Sequence, residues 1–422
     1  MDVGKTANSD ISWHRWWMLF QMCIVAFIIP GCAYAIMPVL FQEIAQPKDV
    51  GLGLTLVQLG AIWAMLPLAL GLFSIPMGIA ADRYGVRLLI GLSAIIAGVF
   101  GACRGMSGGF VSLLTWMFLF GAGYAAISTN IPKFVGTWFK SKELGMANGI
   151  VLSAYSLGAG LAIQFGGSFL SPAVGGWRNI LYIVGLLSLA AGVLWFINVK
   201  SPKIDVSGAG ATHGRTGSGS QQNLFHGFAV TLRIRDMWFL VICQMLFLAG
   251  NMGALGYLPM YLVGKGISKA TAYGNVSLTM YFFVLGAILV PMISDRLGTR
   301  KYVYFVTVGI TGLSLMSVPF ATGPALSAAF IVYGFFSGGY IIPRVVPVEH
   351  PRIGLALTGV AFGMITCVGF LGGFISPIVG NAYAAKAGGD SAIILWSILV
   401  LLAAFLFLFV TETHPKRAAK LD

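Results

Sequence analysis

The residues that most often perform chemistry in proteins are few and scattered in this chain. Its 13 acidic residues lie between long apolar runs; Glu43 ends the first run and Glu349 follows the tenth. The five cysteines stand singly, without the spacing of a metal site or a disulfide framework, so we interpret them as packing residues: Cys23, Cys32, Cys103, Cys243 and Cys367. Because no nucleophile lies beside a base, we expect no enzyme, no metal and no other cofactor.

The polar groups inside the apolar runs are phenols, amides and hydroxyls. Those near the middle of runs are candidates for binding a small solute: Tyr34, Tyr124, Tyr155, Asn251, Tyr281 and Tyr333. Each could instead be a packed residue whose polar atom bonds to a neighbour. Charges inside lipid are costly and usually functional, and no carboxylate lies in mid-run. The sequence therefore argues against a buried Asp or Glu proton relay.

The runs that hold these residues have the length and composition of membrane helices. Hydrophobic residues make up 58% of the 422-residue chain and charged residues only 9%, against about 25% charged in soluble domains. Continuous apolarity favours helices over barrel strands, which alternate in polarity. With about 20 residues per span, the sequence predicts an all-α membrane protein with twelve transmembrane helices, at 16–40, 56–81, 88–104, 110–132, 146–170, 177–198, 237–262, 272–293, 302–320, 325–343, 355–379 and 391–411.

The basic residues indicate an orientation rather than a nucleic-acid partner. If the N-terminus is cytoplasmic, only six of the 26 Lys and Arg residues fall on the other side: Lys48, Arg104, Arg178, Lys265, Lys269 and Lys386. Cytoplasmic loops carry such an excess of positive charge. We predict that both termini are cytoplasmic, in a multi-pass protein of the cytoplasmic (inner) membrane.

The chain repeats itself at three places in the same order. The paired segments are Asp82 to Gly85 with Asp295 to Gly298, Ile131 to Lys133 with Ile342 to Arg344, and Ser171 to Gly175 with Ser376 to Gly380. We predict two pseudo-symmetric six-helix bundles, 1–198 and 237–422, joined by a Gly- and Ser-rich cytoplasmic linker at 199–236. Parallel repeats of this kind leave a central crevice that rocking opens to either side, which favours a transporter. Pro30-Gly31 and Gly250 to Gly253 are expected to interrupt the first and seventh helices near that crevice.

The segment from Gly78 to Arg87 resembles the loop signature G-x-x-x-D-R-x-G-x-R of the major facilitator superfamily. The matching residues are Gly78, Asp82, Arg83, Gly85 and Arg87; the second copy keeps Asp295, Arg296, Gly298 and Arg300 but has Pro291 for the first glycine. The resemblance implies the major facilitator fold, with loop carboxylates that hold the halves together when the inner side is shut. Asp82 would then lie near Arg352 and Gly354, and Asp295 near Lys142 and Gly145. Alternatively, these charges only mark topology.

The stretch from Asn130 to Gly149 is similar to that of the superfamily's small-anion porters, namely the nitrate/nitrite, cyanate and monocarboxylate groups. The positions at which the nitrate group binds its anion with arginines hold Ser74 and Ala287. The resemblance thus stops short of a substrate. Drug exporters carry an arginine where Met117 stands and a Gly-Pro pair in the fifth span, where this chain reads Gly158-Ala159-Gly160, which argues against drug efflux.

Two basic residues, Lys133 and Arg344, occupy equivalent places in the repeat, each after a proline. They are either an anion-attracting ring at the inner mouth or snorkelling interfacial charges. Arg104 is expected to be peripheral, and His350 to be solvated in a loop. Our hypothesis is a monomeric permease that moves a small organic anion, a carboxylate, by rocker-switch alternating access, with a proton as a candidate co-substrate. The alternatives are a neutral or amphipathic solute, or an inorganic anion at an atypical site.

Overall fold

The computed structural model describes residues 3–139, 141–200, 227 and 230–413, and within these ranges it is built from helices and turns. Eleven helices in the described part of the chain are long and apolar enough to cross a membrane, and α9, with 17 residues, is slightly shorter. In chain order the bounds are α1 Trp13–Ile44, α2 Leu56–Tyr84, α3 Val86–Met106, α4 Phe110–Trp138, α5 Glu143–Ala173, α6 Trp177–Asn198, α7 Arg235–Gly264, α8 Lys269–Leu297, α9 Lys301–Ser317, α10 Gly323–Glu349, α11 Leu357–Ala387 and α12 Gly389–Phe407. The predicted all-helical fold is confirmed.

The packing among α1–α6 repeats among α7–α12. Helix α3 packs on α6, α2 on α4 and α1 on α5; six helices later, α9 packs on α12, α8 on α10 and α7 on α11. Two further contacts, α2 with α11 and α5 with α8, join the first six helices to the last six. The boundaries of the two bundles stay a prediction, because most of the linker falls outside the described residues.

Glycines allow the closest of these contacts. A Cβ added to Gly286 of α8 would lie 1.7 Å from the carbonyl oxygen of Phe335 in α10. Between α3 and α6, a Cβ at Gly98 would lie 2.4 Å from the backbone nitrogen of Leu189. Close approach of backbones at small residues is the usual means by which helices associate in lipid.

One of the two predicted helix interruptions is present, and the prediction of the other is wrong. Pro30 lies in a π-helical stretch, Phe27–Tyr34, because proline cannot donate the hydrogen bond that the α-helix requires there. Helix α7, in contrast, is continuous from Arg235 to Gly264. Its glycines serve packing: a Cβ at Gly253 would lie 2.1 Å from the indole nitrogen of Trp396.

The two ends of the helix bundle differ. We name the end that carries Asp82 and Asp295 the motif end, and the opposite end, with Glu43 and Lys269, the far end. Three hydrogen bonds between the two sets of six helices close the far end: Trp63 Nε1 to Met252 O (2.8 Å), Asn381 Nδ2 to Leu56 O (2.9 Å) and Tyr273 Oη to Val39 O (3.1 Å).

Contact between the two sets is lost toward the motif end. The Cβ of an alanine at Gly363 of α11 would still lie 3.5 Å from Ile75 of α2. Closer to the motif end, a Cβ at Gly145, Gly149 or Gly359 would meet no described atom within 4 Å. A crevice between the sets therefore opens toward the motif end and is closed at the far end.

Candidate functional site

Three of the six candidate tyrosines and amides gather where the crevice is closed. Tyr34, at the end of the π-helical stretch, stacks on Trp63 with a ring separation of 4.4 Å and on Tyr124 at 6.0 Å. The hydroxyl of Tyr155, on α5, lies within electrostatic range of the hydroxyls of Tyr34 and Tyr124. The sequence therefore identified a group of phenols that the fold brings together.

A fourth tyrosine, Tyr340 of α10, joins this group and was not among the candidates. It lies within electrostatic range of Tyr124 and Tyr155, across the crevice from α10. Its ring stacks on that of Phe247, with ring centres 5.7 Å apart, and meets the ring of Phe283 at a tilt, with ring centres 5.8 Å apart. The available signal was its place one helical turn before Arg344, just ahead of the repeated segment Ile342 to Arg344.

The other three candidates are engaged in pairs. Asn251 Nδ2 donates to the hydroxyl of Tyr333 at 2.9 Å, and Tyr333 has no exposed surface. Tyr281 donates to Gln164 Oε1 at 2.7 Å, across the contact between α5 and α8. These bonds fit the packing role that was the alternative for each residue.

The two equivalent basic residues have different partners. Lys133 Nζ is 2.6 Å from Asp82 Oδ1 and donates to Gly78 O at 2.8 Å, so a carboxylate of its own set neutralises it. Arg344 instead places its guanidinium carbon 4.9 Å from the ring centre of Tyr340 and 5.8 Å from that of Phe362. Its buried Nε has no hydrogen-bond partner among the described residues. The repeat thus has one neutralised cation and one with donor capacity to spare.

The loop carboxylates pair within their own sets rather than across the crevice. Asp295 is 2.6 Å from Arg300, which also binds Glu349 at 2.7 Å. Burial acts to lower the pKa of Arg300, but the bonds to Glu349 and Asp295 outweigh it and the pKa is raised. Asp82 and Asp295 therefore do not make the contacts that were expected for a shut inner side, because the motif end is open.

The rest of the signature shapes the corners after α2 and α8. Gly85 and Gly298 adopt positive φ angles of 90° and 67°, which only glycine adopts without strain. Arg87 donates to the carbonyl of Phe196 at 3.0 Å, tying the first corner to α6, whereas Arg83 lies over the ring of Tyr84 at 5.3 Å. Arg296 is exposed.

Two expectations about single charged residues are wrong. Arg104 is fully buried, because the turn Arg104–Met106 folds it back over Phe120, 4.1 Å from the ring centre. His350 is only 5% exposed and its Nε2 lies 3.2 Å from Asp236. In both cases the aromatic or acidic partner is distant in sequence, so the residue type alone did not reveal the contact.

No cluster of three or more His, Cys, Asp or Glu able to hold a metal occurs among the residues that the structure describes. The polar groups that the structure places at the crevice are the phenols of Tyr34, Tyr124, Tyr155 and Tyr340 and the guanidinium of Arg344. Such groups can bind and orient a solute by hydrogen bonds, stacking and charge.

Comparison with known proteins identifies relatives among transporters. A probable nitrate/nitrite antiporter of Thermus thermophilus is 26% identical over 413 residues, covering 89% of this chain and 88% of the relative. A probable galactarate/D-glucarate transporter of Bacillus subtilis is 23% identical over 392 residues, covering 86% and 82%. The hexuronate transporter of Bacillus subtilis is 29% identical over 177 residues, and that match spans only 40% of each chain.

Solved structures agree in fold. The inward-facing, unoccupied bacterial homologue of the human lysosomal transporter Spinster superposes with a TM-score of 0.74 at 15% identity, covering 94% of this chain and 97% of that one. A nucleoside transporter superposes with a TM-score of 0.72, also at 15% identity, covering 93% and 99%. The family model described as Major Facilitator Superfamily matches residues 22–348. The chain is a multi-pass membrane transporter that belongs to the Major Facilitator Superfamily.

Proposed function

We propose that this transporter moves a small organic anion, a carboxylate, across the cytoplasmic membrane by rocker-switch alternating access. In this proposal α1–α12 all cross the membrane, as two six-helix bundles at 1–198 and 237–422 with cytoplasmic termini. The motif end then faces the cytoplasm. The crevice is the substrate pathway, and the two bundles pivot about the group formed by Tyr34, Tyr124, Tyr155 and Tyr340.

The observation that carries the proposal is the state of Arg344. Its guanidinium faces aromatic rings, and its buried Nε lacks a partner within the described structure. A guanidinium presents paired donors that match the two oxygens of a carboxylate, and a buried donor without a partner is costly. A substrate carboxylate at Arg344 would satisfy that donor, while Tyr124 and Tyr155 offer hydroxyls from the facing helices.

An organic carboxylate fits better than nitrate. At the nitrate-group positions, Ser74 donates its hydroxyl to Leu70 O of its own helix at 2.6 Å, and Ala287 is a buried methyl side chain. Neither supplies charge. Two relatives are named for the transport of hexuronate and of galactarate/D-glucarate, and these compounds are organic carboxylates. An inorganic anion remains the second candidate, because the match to the nitrate/nitrite antiporter covers 89% of the chain.

Coupling to a proton would use the substrate rather than a buried relay. Within the described spans the paired carboxylates lie near helix ends, as Glu43, Asp82, Asp236 and Glu349 show. A weak acid can carry its own proton, and exchange of two anions needs none. A neutral solute would not need a cation at the site, so a neutral substrate would leave the unpaired donor of Arg344 unexplained.

The test is uptake into liposomes that contain the purified protein. Labelled hexuronates, aldarates, monocarboxylates and nitrate are scanned first, with uncharged sugars as competitors. We expect Arg344→Gln to lower carboxylate uptake about 10- to 100-fold, because a hydrogen bond to a charged group contributes roughly 1.5–3 kcal/mol. Arg344→Lys should retain part of the uptake.

The matched control is Lys133→Gln, which removes one positive charge at the equivalent place of the repeat. Because Asp82 already neutralises Lys133, we expect the apparent affinity for the carboxylate to change much less than in Arg344→Gln. Equal losses in both variants, or uptake of nitrate alone, would contradict the proposal.

A further inference from the structure

A second polar cleft lies at the far end, away from the crevice and its tyrosines. Its volume is about 390 Å³, and α1, the turn between α5 and α6, and the start of α8 form its walls. The lining residues that bear on its chemistry are Glu43, Gln46, Trp177, Arg178, Asn179 and Lys269. Two cations and one carboxylate therefore face the same space.

The carboxylate of Glu43 is bound firmly on one side and loosely on the other. Its Oε2 accepts a hydrogen bond from Ser171 at 2.6 Å, whereas its Oε1 is 4.0 Å from Lys269 Nζ, the outer limit of an ion pair. The side chain of Lys269 is 38% exposed and that of Glu43 only 14%. Lys269 is thus accessible to another anion.

Arg178 adds a fixed positive charge. Its Nη1 donates to Gly105 O at 3.0 Å and Ser107 O at 2.6 Å, and its guanidinium lies 4.3 Å from the ring centre of Trp177. Among the described residues, its contacts are carbonyls and a ring rather than a carboxylate. The cleft consequently has one more positive than negative side chain, and its charge favours an anion.

The loose ion pair also joins the two sets of helices. Glu43 ends α1, and Lys269 begins α8. One turn into α8, Tyr273 donates to Val39 O of α1 at 3.1 Å. The Glu43–Lys269 contact is therefore part of the closure of the far end.

We propose that this cleft is a capture site for a small carboxylate, which competes with Glu43 for Lys269 and thereby releases α8 from α1. The inference rests on the proposed function, since it assumes that the chain carries such an anion. It adds a place of first contact at the far end and a reason for the far end to open when the anion is present there. Arg178 holds the anion near Lys269 while the ion pair exchanges.

The experiment measures the distance between spin labels on the two sets at the far end. Met106→Cys and Phe320→Cys are both exposed there, and the five cysteines are replaced by alanine in the labelled full-length chain. D-glucuronate is the first probe, and the carboxylate with the greatest uptake in the liposome scan is the second. We expect either anion to lengthen the distance, and uncharged D-glucose to leave it unchanged.

Variants identify the cleft. Lys269→Gln removes both the ion pair that helps to close the far end and the partner of the anion, so we expect a longer distance without anion and no further response to either anion. Glu43→Gln should also lengthen the distance without anion, because the same ion pair is lost. The matched control is Lys265→Gln, another far-end lysine, which pairs with Asp390 at 3.1 Å outside the cleft. Equal effects of Lys265→Gln and Lys269→Gln, or opening by D-glucose, would overturn the inference.

Uptake assays on the same preparations separate the two proposals. Carboxylate uptake without any response of the far-end distance would sink the capture site and leave the proposed function standing. If no carboxylate is taken up, the proposed function falls and the capture site falls with it.

Discussion

At the scale of single residues, burial of Arg104 leads to an unusual expectation. Its side chain is fully buried and its Nη2 has no partner among the described residues, although Nε donates to Gly101 O at 3.1 Å. Replacing a buried charge by an apolar side chain of similar volume is often neutral or stabilising. We expect Arg104→Met to leave the free energy of unfolding unchanged or to raise it, as measured by thermal melting in detergent.

Arg104→Gln provides the comparison, since it keeps a polar group of smaller volume in the same apolar place. It should be less stable than Arg104→Met. If Arg104→Met melts well below the unsubstituted protein while uptake is lost, Arg104 has a role that its contacts do not indicate.

The candidate site could be predicted from residue types only in part. The rule that selects phenols in mid-span chose Tyr34, Tyr124 and Tyr155, which the fold brings together, and their role in binding stays a prediction. The same rule selected Tyr333, which instead bonds to Asn251. The rule missed Tyr340, which lies near a helix end rather than in mid-span. Only its contacts with Phe247 and Arg344, which the fold provides, distinguish it from other tyrosines.

At the scale of elements, α8 offers a direct test of helix packing. Gly286→Ala would place a Cβ 1.7 Å from Phe335 O, whereas Gly274→Ala on the same helix meets no described atom within 4 Å. We expect Gly286→Ala to lower the free energy of unfolding by about 1–3 kcal/mol or more, the cost of overpacking. Gly274→Ala should change it by less than about 1 kcal/mol. Similar melting temperatures for the two variants would contradict the close contact of α8 with α10.

The helices themselves were largely predictable, because apolar length determines where a span can lie. What the sequence could not decide was whether glycine or proline interrupts a helix. Pro30 removes a backbone donor and changes the hydrogen bonding of α1, whereas Gly250 and Gly253 keep their donors and leave α7 intact. Helix α11 also continues to Ala387, beyond the predicted end at 379, because half of residues 380–387 are alanines, the residue that favours a helix most.

At the scale of the whole molecule, the open motif end makes a prediction about chemical accessibility. Gly149→Cys lies on α5 where the crevice is open, and Ala162→Cys lies on the same helix toward the far end, at a position only 5% exposed. In a background without the other cysteines, we expect a membrane-impermeant maleimide to react with Gly149→Cys at least about 10-fold faster, in keeping with burial of the second thiol.

Inside-out and right-side-out vesicles add the orientation to this measurement. Gly149→Cys should react from the cytoplasmic side, as the proposed topology requires. Faster labelling of Ala162→Cys would mean that the far end, not the motif end, is open in solution.

The closure of the far end has a consequence for which positions of the sequence can vary in evolution. Trp63, Asn381 and Tyr273 each donate from a side chain, but every acceptor is a main-chain carbonyl, at Met252, Leu56 and Val39. A carbonyl is present whatever side chain its residue carries. The closure of the far end therefore requires the three donor side chains and the helical register, whereas the residue type at each accepting position can change. Close relatives should accordingly keep the donors and vary at the acceptors.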